Sequence, residues 1–427
     1  MTDKILAALA AEKVGEYLIT KTVQKSAELF FIKKTLDVKR AKEFTQYEVS
    51  VFREFEKNGK ACKGQSSVNV FPGMTEDEIR SRIKDAMFAA SFVANPTYEI
   101  PGPSDNNFIE MDSDIAKNTM EENCRVMSEA LFAEDNDGEA FLNSAELFIY
   151  DNSKYIINSK GINAGYRKCS VSGEFVVQCK SPRDVETYKD FRYDSLNAQA
   201  LRDKVKRTIE YTKARAQATE APASGSYRLI LSEDYVATLF DFYKDKADAG
   251  YVYAGYSDYK IGDNVQADDD GKIAGDAITA EFRADVPFTS EGIRLIDRPF
   301  MDKGVLKTIT GNARFSSYLG IEPTGVYDDL KVECGTTSVE EMKKKPYLHV
   351  VNFSDFQMDS FDGHFGGEIR LAFLFDGDKV TPVTGGSVNG SWFEVQNRLT
   401  LSKEKQNDKG FEGPLAICMD DIPVAGK

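Results

Sequence analysis

Histidine is nearly missing from this chain: His349 and His364 are the only two among 427 residues. Any metal site that needs three imidazoles from one polypeptide is therefore excluded, and neither histidine falls in a His-Glu-x-x-His pattern. The six cysteines, Cys62, Cys124, Cys169, Cys179, Cys334 and Cys418, are scattered and include no Cys-x-x-Cys pair. That spacing removes zinc ribbons, dithiol redox motifs and disulfide scaffolds, and reads as free thiols. Positive charge is also in deficit: 54 Lys and Arg face 69 Asp and Glu, for a net charge of −15 and a pI near 4.9. An acidic chain is a poor match for duplex DNA, which demands a phosphate-neutralising face. Long hydrophobic runs are lacking too: stretches such as Leu371 to Phe375 fall far short of the ~20 residues of a spanning helix.

With 41% hydrophobic and 29% charged residues, the chain has the composition of an ordinary globular protein of roughly two or three domains. Met1-Thr-Asp-Lys-Ile-Leu-Ala-Ala-Leu-Ala-Ala11 resembles the start of a secretion signal, but Glu12 and Lys13 end its apolar stretch too early. The amphipathic spacing carries on to Val14, Tyr17 and Leu18, which predicts helical structure over residues 1 to 29 and a cytoplasmic protein.

Alternation of Tyr47, Val49 and Val51 predicts a half-buried strand over Ala41 to Phe55. Lys57-Asn-Gly-Lys60 then supplies a tight-turn dipeptide, with Ser66 to Phe71 as the returning strand. Thr75-Glu-Asp-Glu78 is a capping box ahead of Ile79, Ile83, Met87 and Ala90, a helical stripe that should stop before Asn95-Pro96. Glu99 to Asn107 reads as an exposed, turn-rich excursion. Glu146 to Ile157 and Gly173 to Cys179 read as a meander, followed by a helix bearing Leu201, Val205 and Ile209.

Ala216 to Ser226 is small and polar, the expected linker between an N-terminal domain (1–215) and a C-terminal one (227–427). Tyr227 to Leu231 reads as a buried strand. Ser232 is placed to cap a helix near 233 to 247 whose Val236, Leu239, Phe240 and Tyr243 form one stripe. The fold class expected is α+β: a mixed N-terminal domain plus a C-terminal domain dominated by antiparallel β-sheet.

Three apparent motifs dissolve on inspection. Asp135-Asn-Asp-Gly138 and Asp268-Asp-Asp-Gly271 lack the carboxylates a calcium loop needs at its first and twelfth positions, and read as turns. Gly385-Gly-Ser-Val-Asn-Gly390 lacks the Lys-Ser or Lys-Thr of a phosphate loop and reads as a glycine-rich corner between strands. In the same stretch Gly386-Ser-Val-Asn-Gly390 does not have the spacing of the Gly-x-Ser-x-Gly elbow of a serine hydrolase, which is absent. His349 lies in a strand pattern. His364 lies in a glycine-flanked turn and is the one polar candidate that spacing leaves open.

Several blocks together resemble the TldD/PmbA family, whose members carry the name modulator of DNA gyrase and include a metallopeptidase pair. They are Ser67-Val-Asn-Val-Phe-Pro-Gly-Met-Thr-Glu-Asp-Glu-Ile79, Asn158-Ser-Lys-Gly161, Gly366-Gly-Glu-Ile-Arg-Leu-Ala-Phe-Leu-Phe-Asp-Gly377 and Pro382-Val-Thr-Gly-Gly-Ser-Val-Asn-Gly390. The last is the most specific, and together they span most of the chain. In the family, the TldD subunit carries His-Glu-x-x-x-His on a helix of the C-terminal domain, with a later cysteine completing the metal site. The matching stretch here is Leu239-Phe-Asp-Phe-Tyr-Lys-Asp245, which places Phe240 and Asp245 where the histidines would be and Asp241 in place of the glutamate. Cys418 sits in a strand pattern, and Asp408-Lys-Gly-Phe-Glu-Gly413 has no thiol to offer.

The resemblance thus implies a PmbA-like (TldE-like) chain with no metal or catalytic residues of its own, zinc being expected only in a TldD-type partner. That pair would enclose short or unfolded peptides, without direct nucleic-acid or membrane contact. Two alternatives stay open: an independently active hydrolase homodimer using His364 or a cysteine; or a regulatory protein acting through protein–protein contacts.

Overall fold

A computed structural model describes every residue of the chain except Ser104 and Asp137. Part of the excursion at 99–107 and of the turn at 135–138 therefore lies outside the described residues. The architecture is α+β, as expected, and the described residues form three sheets.

The N-terminal half is built on an eight-stranded sheet. Its strands run in the order Asn95–Pro96, Lys60–Val70, Thr35–Lys57, Glu16–Ile32, Ala140–Asn158 and Asn163–Cys179, and the last carries both Phe108–Glu110 and Val185–Tyr193 on its outer side. Ile19, Val49, Ile149 and Val171 share one face of the pleat, and four helices cover it: Thr2–Ala11, Glu76–Ala90, Met120–Phe132 and Ala198–Gln217.

The helical expectation for 1 to 29 holds only to Ala11. Lys13 takes a left-handed φ of 54° and the chain turns into the strand Glu16–Ile32. The first ten residues are alanine- and leucine-rich, whereas Tyr17, Ile19, Leu29 and Phe31 recur at even spacing, and the period of two prevails where β-branched residues and sheet partners supply it. The hairpin after it forms as predicted, with Asn58 and Gly59 at φ 55° and 73° in the turn. The capping box also forms. Thr75 accepts from the Glu78 amide at 3.3 Å, and the Glu78 carboxylate accepts from the Thr75 amide at 2.8 Å. Ile79, Ile83, Ala86 and Ala90 are the buried positions of that helix, so Ala86 takes the place expected for Met87.

In the C-terminal half, five strands close on themselves. Gly225–Ser232 pairs with Ala416–Ala425 on one side and runs parallel to Tyr347–Met358 on the other. Tyr347–Met358 pairs with His364–Phe375, which pairs with Ser387–Ser391, which returns to Ala416–Ala425. A ring of this kind leaves no free edge among its five members. A second sheet orders Val305–Leu306, Arg298–Asp302, Ala280–Arg283, Asp329–Val332, Phe411–Pro414 and Lys405–Asp408. The helix Asp234–Lys246 packs against both, through Tyr235 on Phe353 of the ring and Phe240 on Phe411 of the sheet. Gly385 and Gly386, at φ 91° and 78°, make the corner between Val380–Val383 and Ser387–Ser391, and a Cβ on Gly386 would meet the Ala425 carbonyl at 2.5 Å.

Replacing Thr75 with Ala removes one half of the reciprocal cap, and urea unfolding should show a loss of about 1 kcal/mol with an unchanged slope.

Candidate functional site

The strand Gly225–Ser232 feeds the helix Asp234–Lys246 through Glu233, a residue with φ 59° and ψ −129°. Side-chain-bearing residues avoid this region at a cost of order 1–3 kcal/mol unless their surroundings impose it. Ser232, expected as the cap, instead ends the strand and bonds the His349 ring, its Oγ lying 3.1 Å from Nε2. Glu233 is the N-cap residue. Its amide donates to the Leu415 carbonyl at 2.9 Å, its carbonyl accepts from Gln406 Nε2 at 3.0 Å, and its buried carboxylate meets Arg207 at 2.7 Å and Lys189 at 3.3 Å.

This contact belongs to a larger buried charge network. Lys189 also lies 3.5 Å from Asp234, Lys409 bridges Asp190 and Asp234, and Lys204 binds Asp408. Burial alone would raise both acids. Lys189, Arg207 and Lys204 nevertheless hold Glu233 below the usual carboxylate range, and Lys189, Lys204 and Lys409 bring Asp234 down to about 2. The network ties Val185–Tyr193 and Ala198–Gln217 of the N-terminal half to the start of the site helix and to the turn at Lys409. Sequence reasoning missed it, since its partners stand 26 to 219 residues apart and no local spacing links them.

From this start the helix sends the three motif-matching side chains to different surroundings. Phe240 is 1% exposed and stacks on Phe411 with ring centres 5.7 Å apart. Asp241 is half-exposed and ion-paired with Lys244 at 3.2 Å, its carboxyl raised by desolvation in the cleft it lines. Asp245 accepts a 2.6 Å hydrogen bond from Ser360. A phenyl ring has no donor pair for zinc, and the two carboxylates are already engaged, so the residues do not fit the metal that the sequence pattern brings to mind. Among the described residues, no group of three or more His, Cys, Asp or Glu side chains converges in a way that could hold a metal ion. The cleft beside Asp241 holds about 270 Å³ and is also lined by Thr238, Asp328, Gln406, Lys409 and Phe411.

His364 is exposed and is the first residue of a strand rather than part of the turn expected for it; its amide donates to Asp362. It is not among the residues that line the cleft at Asp241. His349 is buried, and burial, with Lys343 adding to it, pushes its pKa down to about 3, which keeps the ring neutral. All six cysteines are free; burial raises the thiols of Cys124, Cys169, Cys334 and Cys418, which weakens them as nucleophiles.

Residues 224–426 match the family described as the PmbA/TldA metallopeptidase C-terminal domain. No curated protein sequence matches the chain. Among solved structures, the chain resembles a proposed modulator of a DNA gyrase from Thermotoga maritima, at 15% identity, TM-score 0.78 and 99% of each chain covered. It resembles TldE from Thermococcus kodakarensis at 14% identity, TM-score 0.77 and 100% of each chain. A proposed modulator of DNA gyrase from Bacteroides thetaiotaomicron is similar at 17% identity and TM-score 0.73, over 100% of this chain and 99% of that one. At such identities the likeness is one of fold.

Two outcomes follow from the packing around the helix. Truncating Phe240 to Ala should cost about 3–5 kcal/mol of unfolding free energy, because the cavity opens among aromatic rings that cannot close it. His349 binds a proton in the unfolded chain below about 6.5 but in the folded one only near 3, so its contribution is present above pH 6.5 and is lost as pH falls toward 3. Denaturation midpoints measured across that window should fall with pH, and His349→Gln should flatten the slope.

Proposed function

We propose that the chain, whose residues 224–426 match the PmbA/TldA metallopeptidase C-terminal domain, is a TldE-like subunit without its own metal site, working beside a TldD-type metallopeptidase. The observation that carries this reading is the helix Asp234–Lys246, where a buried phenyl ring and two engaged carboxylates stand at the motif positions. In this reading 216–226 joins an N-terminal domain to a C-terminal one. The chain's part in the work is to shape and wall a space for short or unfolded peptides in the cytoplasm. The clefts along the charge network are the surfaces it would offer to them. The exposed place of His364 and the raised thiols give no support to an independent hydrolase.

Affinity capture of the chain from its native lysate should retain a protein bearing His-Glu-x-x-x-His. The captured pair should cleave an unfolded peptide in a chelator-sensitive way, and the chain alone should not. Chelator-sensitive cleavage by the isolated chain would refute the proposal.

A further inference from the structure

Beside the cleft at Asp241 a wider groove of about 630 Å³ runs between Val185–Tyr193, the end of Ala198–Gln217, the site helix and Tyr347–Met358. Asp234 and Thr238 line both spaces, so the two adjoin. One wall is aromatic. Tyr235, Phe353 and Phe356 pack with ring centres 4.9 to 5.2 Å apart, and the Tyr235 hydroxyl accepts from the Phe353 amide.

Two guanidinium groups also line this groove, Arg215 from the helix end and Arg370 from the strand His364–Phe375. Arg215 donates to the Glu186 carbonyl, and among the described residues no carboxylate forms an ion pair with it. Arg370 donates to Ser354 Oγ at 2.7 Å, and its nearest carboxylate, Glu368, is 3.9 Å away. Arg183 adds a third cation, its donors spent on the carbonyls of Arg215 and Ala216. Burial, with Arg370 and Arg183 adding to it, lowers the pKa of Arg215. Of the groove's own acids, Asp190 and Asp234 are ion-paired with Lys409, while Asp355 and Glu186 accept hydrogen bonds from the neutral amides of Gln357 and Asn143.

Along Ala198–Gln217, Arg207 meets Glu233, and Arg215 stands eight residues further on, about 12 Å at helical rise. An extended peptide covers that span with about four residues. We propose that Arg215 and Arg370 bind the C-terminal carboxylate of an extended peptide, whose apolar side chains lie against Tyr235, Phe353 and Phe356 and whose upstream residues reach the cleft at Asp241. Two guanidinium groups lining one groove suit a carboxylate because each offers a planar fork of donors, and such a ligand supplies the close ion pair that Arg215 lacks. This rests on the reading of the chain as a peptide-admitting subunit, and it adds the end of the peptide that is held.

The test uses the purified full-length chain and fluorescein-labelled Gly-Ser-Gly-Ser-Leu-Phe in three forms: free acid, C-terminal amide, and the amide extended by one Asp. Fluorescence anisotropy should give a free acid bound about tenfold more tightly than the amide. In Arg370→Gln, and separately in Arg215→Gln, that preference should shrink to within about twofold while the affinity for the amide stays as it was. Equal binding of acid and amide, or no binding of either, would overturn the proposal. An Asp-extended amide that binds as well as the free acid would overturn the terminal assignment. None of these results bears on whether the chain holds zinc or captures a peptidase, so the two readings fail separately.

Discussion

Everything about the site follows from how Glu233 is held. A glutamate at φ 59° and ψ −129° does not stay there by local preference. It stays because Arg207 and Lys189 hold its buried carboxylate while Leu415 and Gln406 hold its backbone. Removing one partner would leave a buried charge uncompensated, which is why such pairs act as fixed geometry more than as sources of stability. The consequence is a helix of set rotation: Phe240 turns to the core, Asp241 to the cleft and Asp245 to Ser360.

Much of this was legible in the sequence wherever short-range chemistry decides structure. The capping box at Thr75, the Asn58-Gly59 turn, the meander around Glu146 to Cys179 and the burial of Phe240 all rest on spacings of a few residues. Residues 12 to 29 misled because an alanine-rich start carried a helical period into a segment whose odd-numbered positions had already turned to the sheet. Ser232 misled for a related reason. A serine before a helical stripe is a good cap, but the strand ladder and the His349 ring claimed it first, and the less suitable Glu233 took the corner.

The charge network and the arginine-lined groove were beyond such reasoning. Lys189, Arg207, Glu233 and Lys409 are ordinary charged residues in sequence, and only the folding of the N-terminal sheet against the site helix makes them neighbours. The closed ring of five strands was equally hidden, since its closure joins Gly225–Ser232 to the last strand of the chain. The family resemblance, by contrast, rested on short blocks, one of which holds the glycine corner at Gly385-Gly386, where a Cβ on Gly386 would meet the Ala425 carbonyl.

The central claim is chemical: a phenyl ring and two committed carboxylates do not make a zinc site. Crystals of the isolated chain soaked in zinc, with diffraction collected on both sides of the zinc absorption edge, test it most directly. The account predicts no anomalous peak within coordination distance of the helix Asp234–Lys246. A fully occupied peak there, ligated by Asp241 or Asp245, would contradict it.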